Sequence, residues 1–223
     1  MGMRKLFGGG SGAETAKPGQ RTTLQGPRVP RHSSGWVALQ KFLEANQGQR
    51  ILDVGPTSPT NINFLTNLGH SVYMADLVDD ANGNEYVLPP DPDSDEEKEQ
   101  YDAARFVAEN LDFAGREFDV VLLWDTLDYL PEPLVHPVLA RLHQIIQPGG
   151  RLLALFHTGE QGPQTPFCRY HVTAGDSVET QRGASHPIHC IYSNRAIEKL
   201  FSEFAETRFF LARDKMREVI VER

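Results

Sequence analysis

The sequence predicts an α/β protein with a doubly wound, mainly parallel sheet that closes with a C-terminal antiparallel hairpin. Short apolar runs alternate with segments whose apolar residues recur at helical spacing, and turn residues separate the two. Strands that alternate with helices imply right-handed crossovers and helices on both faces of a parallel sheet. The predicted parallel strands are 50–55, 70–75, 118–123 and 151–156, and the predicted hairpin strands are 207–211 and 218–221.

The sequence contains clear capping signals for the starts of two helices. Ser58 followed by Pro59 is typical of an N-cap with proline in the first helical turn. Ser94 and Glu97 match a capping box, which predicts a helix that runs to about residue 107.

Charge is distributed unevenly along the chain. The net charge is −8, but residues 1–34 carry six basic side chains and one acidic side chain, so residues 35–223 carry −13. The first 34 residues are rich in Gly, Pro, Ser and Thr without periodic apolar residues, which predicts a flexible basic arm before an ordered domain over 35–223. Because binding to phosphate backbones needs clustered positive charge, the acidic body argues against a nucleic-acid substrate.

The sequence favours a soluble, cytoplasmic protein. Its longest apolar runs are too short to span a bilayer, and no apolar stretch follows the basic first residues as in a signal peptide. Only two cysteines occur, Cys168 and Cys190, which are too few for a disulfide framework. The oligomeric state is not predicted.

The loop after the first predicted strand is the first candidate site. In doubly wound sheets, ligands bind at the carboxyl ends of the strands. Gly55 permits a sharp turn, and the helix that starts after Ser58 offers free N–H groups to an anion. Asp76 ends the second strand, where a carboxylate is suited to accept hydrogen bonds from both hydroxyls of a ribose.

Four segments in this order and spacing carry a family resemblance. They are Ile-Leu-Asp-Val-Gly at 51–55, Val-Tyr-Met-Ala-Asp at 72–76, the strand and loop over 118–130, and Ile-Ile-Gln-Pro-Gly-Gly-Arg-Leu at 145–152. Together with the closing hairpin, they resemble class I S-adenosylmethionine-dependent methyltransferases over roughly residues 35–223. The resemblance implies a Rossmann-like, seven-stranded sheet, S-adenosylmethionine as cofactor, and an enzyme that methylates a small-molecule or protein acceptor.

The resemblance also implies which positions hold the cofactor. These positions are Asp53, Gly55, Pro56, Thr57, Asp76, Leu77, Asn110, Leu111 and Trp124. Asp53 and Gly55 would lie beside the methionine part, whereas Asp76 would hold the ribose. Leu77 would contact the adenine, which the segment with Asn110 and Leu111 would flank. Trp124 would form part of the floor near the sulfonium.

The glycine-rich loop departs from the family pattern. Where the family reads G-x-G-x-G, this chain reads Gly-Pro-Thr-Ser-Pro at 55–59, with Thr57 and Pro59 in place of glycines. A side chain at Thr57 narrows the approach to the backbone, and Pro59 removes one N–H. A catalytically silent, methyltransferase-like binding module therefore stays open as the alternative. A dinucleotide-binding oxidoreductase is weaker still, because it depends on G-x-G-x-x-G.

Methyl transfer needs alignment of the acceptor and a group that removes a proton. Asp125, Tyr129 and His157 are the candidate catalytic residues, at the ends of the third and fourth parallel strands. His157 is the best base by residue type, with capping of the strand end as its alternative role. Asp128 is either a further candidate or a helix residue that faces solvent, and Asp53 is either a ligand residue or a structural one.

The segment over 157–192 is predicted to lie on the substrate side. Cys168 and His171, and then His186, His189 and Cys190, are compatible with zinc-ligand spacing. The match is loose, and the alternating polarity over 169–178 fits a surface hairpin better. No metal is predicted.

Overall fold

The computed structural model describes residues 25–90, 99–159, 162, 164–210 and 214–223. The described strands are β1 (Gln25–His32), β2 (Arg50–Val54), β3 (Ser71–Ala75), β4 (Phe118–Trp124), β5 (Ile146–His157), β6 (Thr165–Val172), β7 (Ser177–His186), β8 (Glu206–Phe210) and β9 (Met216–Glu222). The described helices are α1 (Ser34–Ala45), α2 (Pro59–Asn67), α3 (Val78–Ala81), α4 (Ala103–Asn110), α5 (Glu132–Ile145) and α6 (Asn194–Leu200), and a single 3-10 turn covers Thr126–Tyr129.

The main sheet confirms the predicted fold class. Its strand order is β3-β2-β4-β5-β9-β8, with the first four strands parallel and β9 antiparallel to both of its neighbours. The described residues give this sheet six strands where seven were predicted. The carboxyl ends of β2, β4 and β5 therefore meet at one edge, where the candidate site residues were expected.

Apolar helix faces cover both sides of this sheet. Alternate residues of β4 enter two different core clusters: Val121 and Leu123 join one, and Val120 and Leu122 join the other. The first cluster includes buried residues of α4, α5 and α6, and the second includes those of α1 and α2. Among the helices in the described part of the chain, none is long and apolar enough to cross a membrane.

One helix start differs from the prediction. Ser94 and Glu97 lie outside the described residues, and residues 99–102 are not helical. Helix α4 begins at Ala103, with the side chain of Asp102 accepting a hydrogen bond from the backbone N–H of Arg105. An aspartate at the N-cap satisfies a free N–H of the first turn, so it competes with the earlier capping box.

Part of the predicted flexible arm is a strand of a second sheet. Residues 25–32 form β1, which pairs antiparallel with β7, and β7 pairs with β6 in a three-stranded sheet of order β1-β7-β6. The arm prediction is thus wrong from residue 25 onwards, whereas residues 1–24 lie outside the described residues. Strand β1 was not predicted because its sequence lacks the alternation of apolar and polar residues. It pairs with β7 through backbone hydrogen bonds, which leave no such pattern.

A buried ion pair holds β1 against the main sheet. Arg31 Nη1 lies 2.5 Å from Oε1 of Glu218, and Arg31 Nε lies 2.6 Å from Oδ2 of Asp214. The second carboxylate oxygen of Glu218 accepts a 2.6 Å hydrogen bond from the backbone N–H of Gly35. A Cβ at Gly35 would lie 2.8 Å from Cδ1 of Leu153, so glycine permits this close approach of α1 to the sheet.

We predict that Arg31→Ala lowers the free energy of unfolding by about 3–5 kcal/mol, because it leaves the buried Glu218 carboxylate without its cation. Arg28→Ala is the matched control on the same strand, since Arg28 pairs with Glu179 in an exposed contact worth at most about 1 kcal/mol. Urea unfolding of both variants measures the difference. Equal, small losses in the two variants would contradict the importance of the Arg31 contact.

Candidate active site

The loop between β2 and α2 bends at Gly55 and leads into a helix capped by Ser58, as the sequence predicts. The backbone N–H of Gly55 donates to the carbonyl of Ala75 over 2.7 Å, and Ser58 Oγ accepts from the N–H of Asn61 over 3.1 Å. Pro56 and Ser58 are buried, whereas Thr57 is exposed. The predicted N-cap at Ser58 is confirmed.

Asp53 is fully engaged by other side chains of the protein. Its Oδ1 accepts a 2.7 Å hydrogen bond from the indole N–H of Trp124, and its Oδ2 accepts a 2.8 Å hydrogen bond from Nδ2 of Asn61. Burial raises the pKa of Asp53 to about 6, although these two hydrogen bonds oppose the rise. In this conformation both carboxylate oxygens have a structural role.

Trp124 lies at the centre of the site. Its φ of 49° is in the left-handed region, where a bulky side chain carries strain of about 1–3 kcal/mol. The indole stacks on the ring of Tyr170, with the centroids 4.7 Å apart and the planes at 4°. A Cβ at Gly55 would lie 3.3 Å from Cδ1 of Trp124 and 4.0 Å from Cζ of Phe167. The indole therefore packs directly over the loop backbone.

Asn61 ties β6 to the same loop. Its Nδ2 also donates to the carbonyl of Tyr170 over 3.0 Å, and its Oδ1 accepts from the N–H of Val172 over 2.8 Å. One residue along, Nδ1 of His171 lies 2.8 Å from Ser58 Oγ. The side-chain amide of Asn61 thus takes the place of a neighbouring strand for this part of β6.

Sequence reasoning missed both Asn61 and Tyr170. The signal for Asn61 was its position four residues before Leu65, which places it on the buried face of α2. A polar side chain on such a face needs a hydrogen-bonded partner, and Asn61 has three. Nothing in the local sequence indicated that Tyr170 would stack on Trp124.

The positions predicted for ribose and adenine differ in accessibility. Asp76 is exposed at the end of β3. Leu77 and Leu111 have no exposed surface and pack in the core, so no ligand can contact them in this conformation. Asn110 is partly buried, and its Nδ2 donates to the hydroxyl of Tyr86 over 3.2 Å and to a helix carbonyl.

Asp128 and His157 form a buried pair at the ends of β4 and β5. Asp128 Oδ2 lies 2.8 Å from Nδ1 of His157 and accepts a 2.7 Å hydrogen bond from its backbone N–H. Asp128 is fully buried, so the alternative that it faces solvent is wrong. Burial lowers the pKa of His157, but the hydrogen bond to Asp128 and the charge of Asp125 outweigh it, and the net shift is upward.

The other two candidate catalytic residues surround this pair. Burial raises the pKa of Asp125 to about 7, against the opposing influence of His157. Oδ1 of Asp125 and Oδ1 of Asp128 have no hydrogen-bond partner among the described residues. Tyr129 is fully buried and donates its hydroxyl to the carbonyl of Pro166 over 3.1 Å, which is again a contact with β6.

The cysteines and histidines of the 157–192 segment do not gather into a metal centre. Within the described part of the chain, no group of three or more His, Cys, Asp or Glu side chains could hold a metal ion. His171 contacts Ser58 and Gln181, and His186 pairs with Asp79. Both cysteines are free thiols, and burial raises the pKa of Cys168 to about 12.

We predict that Asn61→Ala lowers the free energy of unfolding by about 2–5 kcal/mol, because it leaves the buried Asp53 carboxylate and the Val172 N–H short of partners. Asn63→Ala, on the exposed side of the same helix, is the control and should change stability by less than about 0.5 kcal/mol. Chemical denaturation measures both. If Asn61→Ala is as mild as its control, the network does not hold β6.

We predict that Asp125 makes a contribution to the free energy of unfolding that falls as the pH rises from about 4 through about 7. The folded-state pKa of Asp125 is raised to about 7, so its contribution is complete below the unfolded value of about 3.9 and is lost as the pH passes the folded value. Asp125→Asn should reduce this slope by up to about 1.4 kcal/mol per pH unit between pH 5 and 7, whereas Asp112→Asn, at an exposed site, should not. Unfolding free energies measured across this range decide the point.

A comparison with protein-family profiles identifies the family. A profile described as "Methyltransferase domain" matches residues 36–204, which is most of the chain. No curated protein matches significantly.

Several solved structures resemble the chain in fold. The 1,6-didemethyltoxoflavin-N1-methyltransferase of Burkholderia thailandensis, solved with its substrate and S-adenosylhomocysteine, is 16% identical over 85% of this chain and 78% of its own, with a TM-score of 0.45. A TehB-like methyltransferase of Corynebacterium glutamicum is 16% identical over 85% and 87%, at 0.46. The magnesium protoporphyrin IX methyltransferase of Synechocystis PCC 6803, with bound S-adenosylmethionine, is 15% identical over 84% and 77%, at 0.45.

The profile match covers β2 through α6, which are the elements that carry Asp53, Asp76, Trp124 and the Asp128–His157 pair. The strand order of the main sheet, with parallel strands followed by a reversed closing pair, agrees with the architecture that the motifs predicted. The chain belongs to the methyltransferase domain family, in the class that uses S-adenosylmethionine.

Proposed function

We propose that this methyltransferase acts on a small-molecule or protein acceptor at the carboxyl ends of β4 and β5, with His157 as the base that removes the acceptor's proton. The observation that carries the proposal is the buried contact between Asp128 and His157 at that edge. An acidic carboxylate that holds one imidazole nitrogen fixes the tautomer and leaves the other nitrogen free to accept a proton.

Asp128 is well placed to orient the base. The same carboxylate oxygen accepts from the backbone N–H and lies next to Nδ1 of His157, so both the chain and the ring are held. The ring of Tyr129 packs edge-on against the imidazole, with centroids 6.0 Å apart. The raised pKa of His157 favours proton acceptance near neutral pH.

The described conformation does not accommodate the methionine end of S-adenosylmethionine. Asp53 has both oxygens paired within the protein. The rings of Trp124 and Phe167 lie over Gly55, and the ring of Tyr170 stacks on Trp124. The carboxylate of Asp76, which the family resemblance assigns to the ribose, is exposed. This filled site favours the second candidate function, a methyltransferase-like binding module without catalysis.

A cytoplasmic location and an acceptor that is not a nucleic acid belong to the same proposal. Both cysteines, Cys168 and Cys190, are free thiols, which suits a reducing compartment. The charge of −13 over residues 35–223 disfavours a phosphate backbone as substrate.

We predict that S-adenosylmethionine and S-adenosylhomocysteine each raise the melting temperature. A ligand at 100 times its dissociation constant stabilises a protein by about 2.7 kcal/mol, which is a shift of about 5–10 °C for a chain of this size. Asp76→Ala should abolish the shift by removing the ribose contact. Glu198→Ala, which removes an exposed carboxylate on α6, should retain it.

The alternative function, a binding module without catalysis, predicts that neither ligand raises the melting temperature. If neither ligand at millimolar concentration shifts the melting temperature, in the natural sequence or in a Tyr170→Ala variant that lacks the ring stacked on Trp124, the enzymatic proposal fails. The result would then support a methyltransferase-like binding module without catalysis.

A further inference from the structure

The hairpin of β6 and β7, residues 165–186, contacts the loop after β2 through three kinds of interaction. Tyr170 stacks on Trp124, the backbone of β6 pairs with the amide of Asn61, and His171 lies against Ser58. All of these partners belong to, or lie directly over, the part of the fold that holds the cofactor in this class. The hairpin and a cofactor therefore compete for the same surface.

The turn of the hairpin and the outer strand β1 are attached to different elements. The indole N–H of Trp36 donates to the carbonyl of Thr173 over 2.9 Å, and the N–H of Ser33 donates to the carbonyl of Asp176 over 2.9 Å. Strand β1, which pairs with β7, is held to the main sheet by Arg31 and Glu218. These contacts lie in α1, β1 and β9, so they do not depend on the loop after β2.

The contacts on the loop side have the chemistry to change partners. Once His171 has left, the hydroxyl of Ser58 can donate to a carboxylate, and Asp53 can receive an ammonium group. Of the backbone at the start of the nine-residue helix α2, only the N–H of Thr60 remains for the ligand, because Pro59 has no N–H and that of Asn61 donates to Ser58. An amino-acid moiety carries both groups. It would take up the Ser58 hydroxyl that His171 contacts now. Release of β6 breaks the two hydrogen bonds between Asn61 and the strand, so binding of the ligand must offset their loss.

We propose that the β6–β7 hairpin is an autoinhibitory strap: β6 occupies the methionine end of the cofactor site and must leave the loop before S-adenosylmethionine binds. This inference rests on the proposed function. The docked and released forms are two states of one equilibrium, and the cofactor binds only the released form. The apparent affinity is the intrinsic affinity reduced by the fraction of molecules in which the strap is released.

The two tryptophans of the chain report the two sides of the strap separately. The indole N–H of Trp124 donates to Asp53 on the loop side, and that of Trp36 donates to Thr173 on the attached side. Titration of ¹⁵N-labelled protein with S-adenosylhomocysteine should shift the Trp124 indole resonance and leave the Trp36 resonance in place. The Val172 amide, which donates to Asn61, should exchange with solvent faster in the bound form.

A variant tests the same equilibrium by calorimetry. Tyr170→Ala removes the stacked ring and should tighten binding of S-adenosylhomocysteine about threefold to tenfold, because an aromatic pair of this kind stabilises the docked form. Tyr192→Ala is the matched control: Tyr192 is also buried but packs against Phe156, away from the loop, and its loss should leave the affinity unchanged. If Tyr170→Ala does not fold, the resonances of the natural sequence still decide the question.

The possible outcomes distinguish failure of the strap proposal from failure of the proposed function. Tighter binding in Tyr170→Ala, with a shift confined to Trp124, supports the strap. Binding of S-adenosylhomocysteine with equal affinity in Tyr170→Ala, and without change at Trp124 or Val172, overturns the strap and leaves the methyltransferase function standing. Absence of binding in the natural sequence and in Tyr170→Ala overturns the proposed function itself.

Discussion

The side-chain amide of Asn61 is the interaction on which the site depends. It is almost wholly buried, and it joins the carboxylate of Asp53 at the end of β2 to the backbone of β6 at Tyr170 and Val172. A single residue of α2 thereby connects the main sheet, the first loop of the methyltransferase fold and the second sheet. Because each partner is buried, the network is stable only when it is complete, and β6 is held in one register against the loop.

Burial of acidic groups is the second constraint on this edge of the sheet. Asp53, Asp125 and Asp128 all lie at the ends of β2 and β4, and burial raises the pKa of each. Such a concentration of carboxylates is costly to a folded protein unless each has a donor or holds a proton. Asp53 has two donors and Asp128 has His157, whereas the raised pKa of Asp125 favours its neutral form. Hydrogen bonds at Asp53 and Asp128 and the raised pKa of Asp125 thus offset the burial of this acidic edge.

The sequence predicted the main sheet and the hairpin around residues 169–178 of the second sheet, but it did not predict β1, for physical reasons. Strands such as β4 are apolar on both faces and are readable from local composition, and the cap at Ser58 is a local signal. Strand β1 is polar and pairs through its backbone with a strand about 150 residues away, so local periodicity carried no trace of it. The positions of Asp53 and Trp124 at strand ends followed from topology, but the hydrogen bond between them and the stacking of Tyr170 on Trp124 are set by long-range packing.

In the autoinhibitory strap, β6 and the cofactor occupy the same site in a mutually exclusive way. A crystal structure of the protein grown with S-adenosylhomocysteine tests it most directly. We expect electron density for the ligand between the start of α2 and Asp76, with the ring of Tyr170 no longer stacked on Trp124. Ligand density at that position with the Tyr170–Trp124 stack and the Asn61–Val172 hydrogen bond intact would contradict it.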